Sequence, residues 1–122
     1  MKLRFLSPAN HGLVDYAAAI VLIIAPFLLK MGSSNPLALW ISVVTGILVI
    51  LVSLATRYRY GVIKVVPFGG HLALDLLVAT VFMLVPFLCN LDGLEEAYYY
   101  SNAVAVYLVV AVTTGEGLSV RR

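Results

Sequence analysis

Charge is scarce in this chain. Asp, Glu, Lys and Arg make up 11% of its 122 residues, while 62% are hydrophobic; ordinary globular domains carry about 25% charged residues. A water-soluble domain of this size has too much surface to cover with so few charges, so the bilayer is the natural solvent. The net charge is only +2, which excludes the dense basic surface that a nucleic-acid partner would require. One cysteine, Cys89, excludes an internal disulfide and a thiolate-based metal site; it is read as a small packing residue. The sequence has no Gly-rich phosphate loop, no nucleophile elbow and no HExxH pair. Alternating strands of a transmembrane barrel are absent too, because the apolar runs are apolar on every face.

What is present is four such runs. They extend from about Asn10 to Leu29, from Leu37 to Thr56, from about Gly70 to Leu91, and from Ala97 to Gly115. The second and fourth hold no charge, and the first and third hold one acid each, Asp15 and Asp75. A helix needs about 20 apolar residues to cross a hydrocarbon core of about 30 Å, and helices satisfy their own backbone polar groups there. The expectation is an all-α bundle of four transmembrane helices forming one membrane domain, residues 1–122. Ser7-Pro8 reads as an N-cap followed by proline at the first helical position. Gly32-Ser33-Ser34-Asn35-Pro36 reads as a tight connection, and Pro26 and Pro86 should bend or loosen the ends of helices one and three. The Met1-Lys2-Leu3-Arg4 start superficially resembles a signal peptide, but Ser7–His11 interrupts the apolar stretch, so retention is expected.

Seven of the eight basic residues (Lys2, Arg4, Arg57, Arg59, Lys64, Arg121 and Arg122) fall at the two termini and in the central loop. Those places share one side if all four helices span, so both termini are expected in the cytoplasm. Trp40 and Tyr98-Tyr99-Tyr100 outside, with Tyr58 and Tyr60 inside, are expected to form interfacial belts.

The chain also repeats itself. Residues 5–29 and 65–89 share seven identities in 25 positions, among them His11/His71, Asp15/Asp75, Pro26/Pro86 and Phe27/Phe87. Two two-helix repeats, about 5–60 and about 65–120, each cross twice and so have the same orientation. Their pseudo-two-fold axis then stands along the membrane normal, with His11–Asp15 and His71–Asp75 at matching depth near the cytoplasm. A His and an Asp four residues apart lie on one helix face. An ionised Asp costs roughly 2.5–3.5 kcal/mol at a helix centre in the bilayer, and the chain carries two at equivalent sites. Arg57 and Thr56 after helix two, and Thr113, Thr114 and Glu116 after helix four, are the candidate partners.

Four roles fit this cluster, and the pattern leaves them open. It is a structural clamp in which each Asp accepts hydrogen bonds from His, Arg57 or threonine; or a transition-metal site of two imidazoles and two carboxylates; or a pair of axial histidines for haem; or a relay for protons or ions. Ser42-x-x-x-Gly46 and Ala17-Ala18-Ala19 offer thin faces for close helix approach, either within the chain or to another subunit.

The layout resembles the SPW-repeat membrane proteins, in which each two-helix repeat starts with His-x-x-x-Asp and its first helix ends in Ser-Pro-Trp. The matching positions are His11, Asp15 and Ala25-Pro26-Phe27, then His71, Asp75 and Val85-Pro86-Phe87. Arg57-Tyr58-Arg59-Tyr60-Gly61 followed by Val65-Val66-Pro67 is similar to the family's central loop. The chain departs from the pattern in that neither Ser-Pro-Trp is intact. The resemblance implies a bacterial inner-membrane location and no particular reaction. Taken together, the expectation is a non-enzymatic structural or accessory subunit in contact with lipid, within a homo-oligomer or a larger membrane complex. The alternative is a protein that binds haem or a transition metal, or handles protons or ions, through His11, Asp15, His71 and Asp75.

Overall fold

In the computed structural model, which describes residues 4–114, four helices follow one another: α1 (Pro8–Leu28), α2 (Leu37–Leu54), α3 (Phe68–Leu88) and α4 (Gly93–Val112). α1 packs chiefly on α2 and α3 on α4, and α2 touches α3 more lightly. Three of them, α1, α2 and α3, are long and apolar enough to cross a membrane. The fourth departs from the expected charge-free run. It begins at Gly93 and so takes Glu95 and Glu96 into its first turn, where the helix dipole favours acidic side chains. That polar start lowers its mean hydropathy below that of the other three. The chain is an all-α, four-helix membrane protein.

Local chemistry sets the helix ends. The Ser7 hydroxyl accepts the Asn10 amide at 3.2 Å, the expected N-cap, with Pro8 just inside. α1 and α3 end alike, with Lys30 and Asn90 in the left-handed region at φ 54° and 53°. The amides of Met31 and Leu91 then reach back to the carbonyls of Pro26 and Pro86, both at 2.9 Å. This is the Schellman closure, and it turns the chain sharply into the loop that follows each helix.

Pro26 remains inside α1 and has no N–H for the Leu22 carbonyl one turn back. Ser42 of α2 fills that vacancy, its hydroxyl donating to the Leu22 oxygen at 2.8 Å and accepting from the Tyr98 hydroxyl at 2.6 Å. The same face of α2 carries Gly46. A Cβ there would lie 2.7 Å from Ile23 Cγ1 and 2.8 Å from the Ala19 oxygen. The Ser42–Gly46 face is therefore contact between α1 and α2 within the chain, against fully buried Ala19, while Ala17 faces outward.

The core at the end away from the histidines gathers Leu22, Met31, Ala38, Phe82, Val85, Tyr98 and Tyr99. Here the belt expectation is corrected. Tyr98 and Tyr99 are buried; Tyr99 donates to the Ala38 carbonyl at 2.6 Å and packs on Phe82 at 4.7 Å. A buried phenol that reaches a carbonyl satisfies its hydroxyl without water. Tyr58, expected at the inner belt, is buried as well, whereas Trp40 is half exposed, as an interfacial residue would be. Cys89 is partly buried against the same core, a packing residue.

At the opposite end the chain closes on itself through two short parallel pairings, Leu6 with Thr113 and Thr56 with Val66. The bonds match one for one. Phe5 and Leu6 donate to the Val112 carbonyl as Val65 and Val66 donate to that of Ala55; Thr114 donates to Leu6 as Arg57 donates to Val66. Each helix-leading segment thus pairs with a helix-trailing one, and both pairings lie beside the histidines.

Candidate functional site

His11 and Asp15 lie one turn apart near the start of α1, and His71 and Asp75 one turn apart near the start of α3. The pairings just described hold Thr113 and Thr56 beside these helix starts. The Thr113 hydroxyl donates to the Val109 carbonyl at 2.6 Å, and the Thr56 hydroxyl to that of Val52 at 2.6 Å. A hydroxyl has one proton, so each threonine oxygen is left as an acceptor for the imidazole. His11 Nδ1 therefore donates to Thr113 and His71 Nδ1 to Thr56, each at 2.8 Å. Nδ1 therefore carries a proton on both rings, and Nε2 is aimed at the carboxylates, with His11 Nε2 hydrogen-bonded to Asp75 Oδ2 at 2.9 Å.

Those carboxylates interlock the two halves. His11 Nε2 is 2.9 Å from Asp75 Oδ2 and 3.2 Å from Asp15 Oδ1. His71 Nε2 is 2.8 Å from Asp15 Oδ2 and 3.4 Å from Asp75 Oδ1. For both histidines the shorter contact crosses to the other half. The donor atoms of all four residues lie within 4.8 Å of one another. Both histidines are fully buried, while the side chains of Asp15 and Asp75 are 9% and 16% exposed. Asp15 accepts one more bond, from the Tyr58 hydroxyl at 3.0 Å. Burial, with the Asp15 carboxylate adding to it, pushes the Tyr58 phenol above its ordinary range, so it serves as a donor and not as a base. Phe68 walls the site, edge-on to His11 at 5.4 Å and stacked on His71 at 6.2 Å.

The structure thus brings together His11, Asp15, His71 and Asp75, with Thr56 and Thr113 as partners. It does not bring Arg57, which is exposed and directs its guanidinium to the Lys64 carbonyl at 3.3 Å. A buried carboxylate already faced by two imidazoles needs no guanidinium, and Arg57 is free to sit in solvent. Glu116 lies outside the described residues. Tyr58 and Phe68 are the members that sequence reasoning missed; Tyr58 stands two positions after Thr56, a signal that belt anchoring obscured. A haem ligated by both histidines would need its ring plane between the two Nε2 atoms. In this structure both Nε2 atoms face the carboxylates of Asp15 and Asp75 instead.

Fold and site together define a small helical membrane protein whose two helical pairs meet at a buried quartet of two histidines and two aspartates. The SPW repeat domain family matches residues 9–115, and the chain belongs to that family, as the His-x-x-x-Asp starts and the altered Ser-Pro-Trp positions suggested. No curated protein and no solved structure matches it.

Proposed function

We propose that this protein is a non-enzymatic structural or accessory subunit of the bacterial inner membrane, working within a homo-oligomer or a larger membrane complex. In this reading it descends from a duplicated two-helix unit, and both termini lie in the cytoplasm, as the basic residues favour. The observation that carries the reading is the crossed quartet. Each imidazole makes its shortest contact with the carboxylate of the opposite half, so four polar side chains are used to lock helices together. A polar contact between membrane helices contributes roughly 0.6–2 kcal/mol, and several in one cluster suit a rigid packing module.

The exterior supports the same reading. Leu13, Ile20 and Ile24 of α1, Leu51 of α2, Leu77 of α3 and Leu108 of α4 are all exposed, a surface fitted to lipid tails or to another apolar helix. The test is native mass spectrometry of the full chain, extracted from membranes in mild detergent. Masses at multiples of 13.2 kDa, or the chain carried with a larger membrane protein, are expected. A bare monomer at every detergent concentration would overturn the reading.

A further inference from the structure

We propose that His11, Asp15, His71 and Asp75 form a binding site for one divalent first-row transition metal ion of the zinc type. The inference rests on the quartet being the lock between the two halves, and it names what that lock holds.

The first support is the fixed orientation of both imidazoles. Metal-ligating histidines characteristically donate their other ring N–H to a fixed acceptor, which orients the lone pair. Thr113 and Thr56 are such acceptors, each with its own proton committed to a backbone carbonyl. Both Nε2 atoms consequently point at the centre of the quartet, where a metal ion would take the place of the proton shared between His11 Nε2 and Asp75 Oδ2. An outer shell built twice, from residues on different helices, does more than a packing contact requires.

The second support is an orphan. His71 Nε2 is buried and has no aligned hydrogen-bond partner, although Asp15 Oδ2 is only 2.8 Å away. Buried polar atoms are nearly always bonded. Here the separation is close and the direction does not suit a bond between nitrogen and oxygen. That is the relation of two ligands on adjacent corners of a coordination polyhedron, each directed at its middle.

Size and charge agree. A tetrahedral zinc with bonds of about 2.0–2.2 Å separates its ligand atoms by about 3.3–3.6 Å. The nitrogen–oxygen separations run from 2.8 to 3.4 Å, and one ligand atom from each residue lies within 4.8 Å of the others, a spread that small side-chain shifts close around one ion. Each carboxylate also turns one oxygen to either imidazole, so it can bind through one oxygen or both. Two carboxylates with two neutral imidazoles carry a charge of minus two, which one dication cancels, leaving a neutral site in a low-dielectric surrounding. Calcium takes six to eight oxygens at about 2.3–2.6 Å and would not accept the imidazoles. Cys89, the one thiol, lies at the far end of α3, so the donor set is the borderline nitrogen–oxygen kind that suits zinc, iron or manganese. Four protein ligands describe a closed, structural site. Asp75 alone of the acids lines the apolar cleft between α2 and α3, of about 330 Å³, beside Thr45, Val52 and Val78.

The experiment uses the full chain in detergent, stripped with a chelator and dialysed against zinc or, for its visible spectrum, cobalt. About one metal per chain by elemental analysis is expected, with cobalt absorption of a tetrahedral nitrogen–oxygen site. The double variant Asp15→Asn with Asp75→Asn should lose both. Thr56→Val keeps every ligand and should weaken zinc binding about 10- to 100-fold through the freed imidazole; it also serves if the double variant does not fold. Wild-type protein that takes up no stoichiometric metal, or metal content unchanged in the double variant, would overturn the site and leave protons as the only cations there. So would unaltered zinc affinity in Thr56→Val. Native mass read on the same samples separates the two proposals: a metal-loaded monomer supports the site while removing the accessory-subunit reading.

Discussion

Replacing Ser42 by alanine tests how α1 tolerates a proline in a membrane-spanning segment. Ser42 holds two bonds, donating to the Leu22 carbonyl that Pro26 leaves open and accepting from Tyr98. It is fully buried, so neither partner has water to turn to. An orphaned buried polar group costs about 1–3 kcal/mol, and two of them give an expected loss of about 2–6 kcal/mol for Ser42→Ala. The informative variant is the same change made with Pro26→Ala. An alanine at 26 restores the amide to Leu22, so removing Ser42 then strands only the Tyr98 hydroxyl. The loss should fall to about 1–3 kcal/mol, a coupling of about 1–3 kcal/mol. Reversible unfolding of the four proteins in mixed detergent micelles measures each term. Effects that add within about 0.5 kcal/mol would refute the link between proline and serine.

Other expectations follow from single contacts. Gly46→Ala should cost about 1–3 kcal/mol by overpacking, because the new Cβ would press on the Ala19 backbone oxygen at 2.8 Å; thermal unfolding that matches wild type would contradict the α1–α2 packing. Thr56→Val and Thr113→Val remove equivalent bonds to His71 and His11. Each should lower stability by about 1–2 kcal/mol, the two agreeing closely in the same assay; a large inequality would argue against matched halves. Tyr58→Phe removes one donor to Asp15 and should cost about 1.5–3 kcal/mol, since the acceptor is charged.

How far the sequence could be read depended on which periodicities carried information. The quartet was legible because His-x-x-x-Asp recurs sixty positions on, and two polar pairs at the same point of two apolar runs have few reasons to be there. Thr56 and Thr113 were within reach because they close their runs, although the offset between matched residues falls from 60 at His11/His71 to 57 at Thr56/Thr113. That slip hides the match between the two helix-trailing segments from simple comparison. Tyr98 and Tyr99 went wrong for a different reason. In α4 nearly every face is apolar or aromatic, and a hydrophobic pattern without contrast does not say which tyrosine faces lipid and which faces α3. Glu95 and Glu96 looked like loop residues by charge, but the first turn of a helix is where acids are stabilised, and Glu95 also accepts the Gly32 amide at 2.7 Å. Arg57 drew attention as the nearest cation to two acids along the chain, and nearness in sequence was outweighed by burial.

The two halves are not identical, and the difference bears on how the quartet behaves. Asp15 has a dedicated hydroxyl donor in Tyr58, whereas Asp75 has none among the described residues and is the more exposed of the two side chains. Asp75 also stands at the edge of the α2–α3 cleft, where the contact between helices is far lighter than within either half. A carboxylate held by two imidazoles and a phenol is fixed on three sides. One held by imidazoles alone, beside open space, can swing with little loss. If the quartet is ever opened, by a ligand or by a neighbouring helix entering the cleft, Asp75 is the member that moves first. Asp15→Glu should therefore be disruptive and Asp75→Glu tolerated, the longer side chain finding room in the cleft. Unfolding midpoints for the two variants in the same micelles decide the matter, and equal losses would show that the half with Tyr58 is no more rigid than its counterpart.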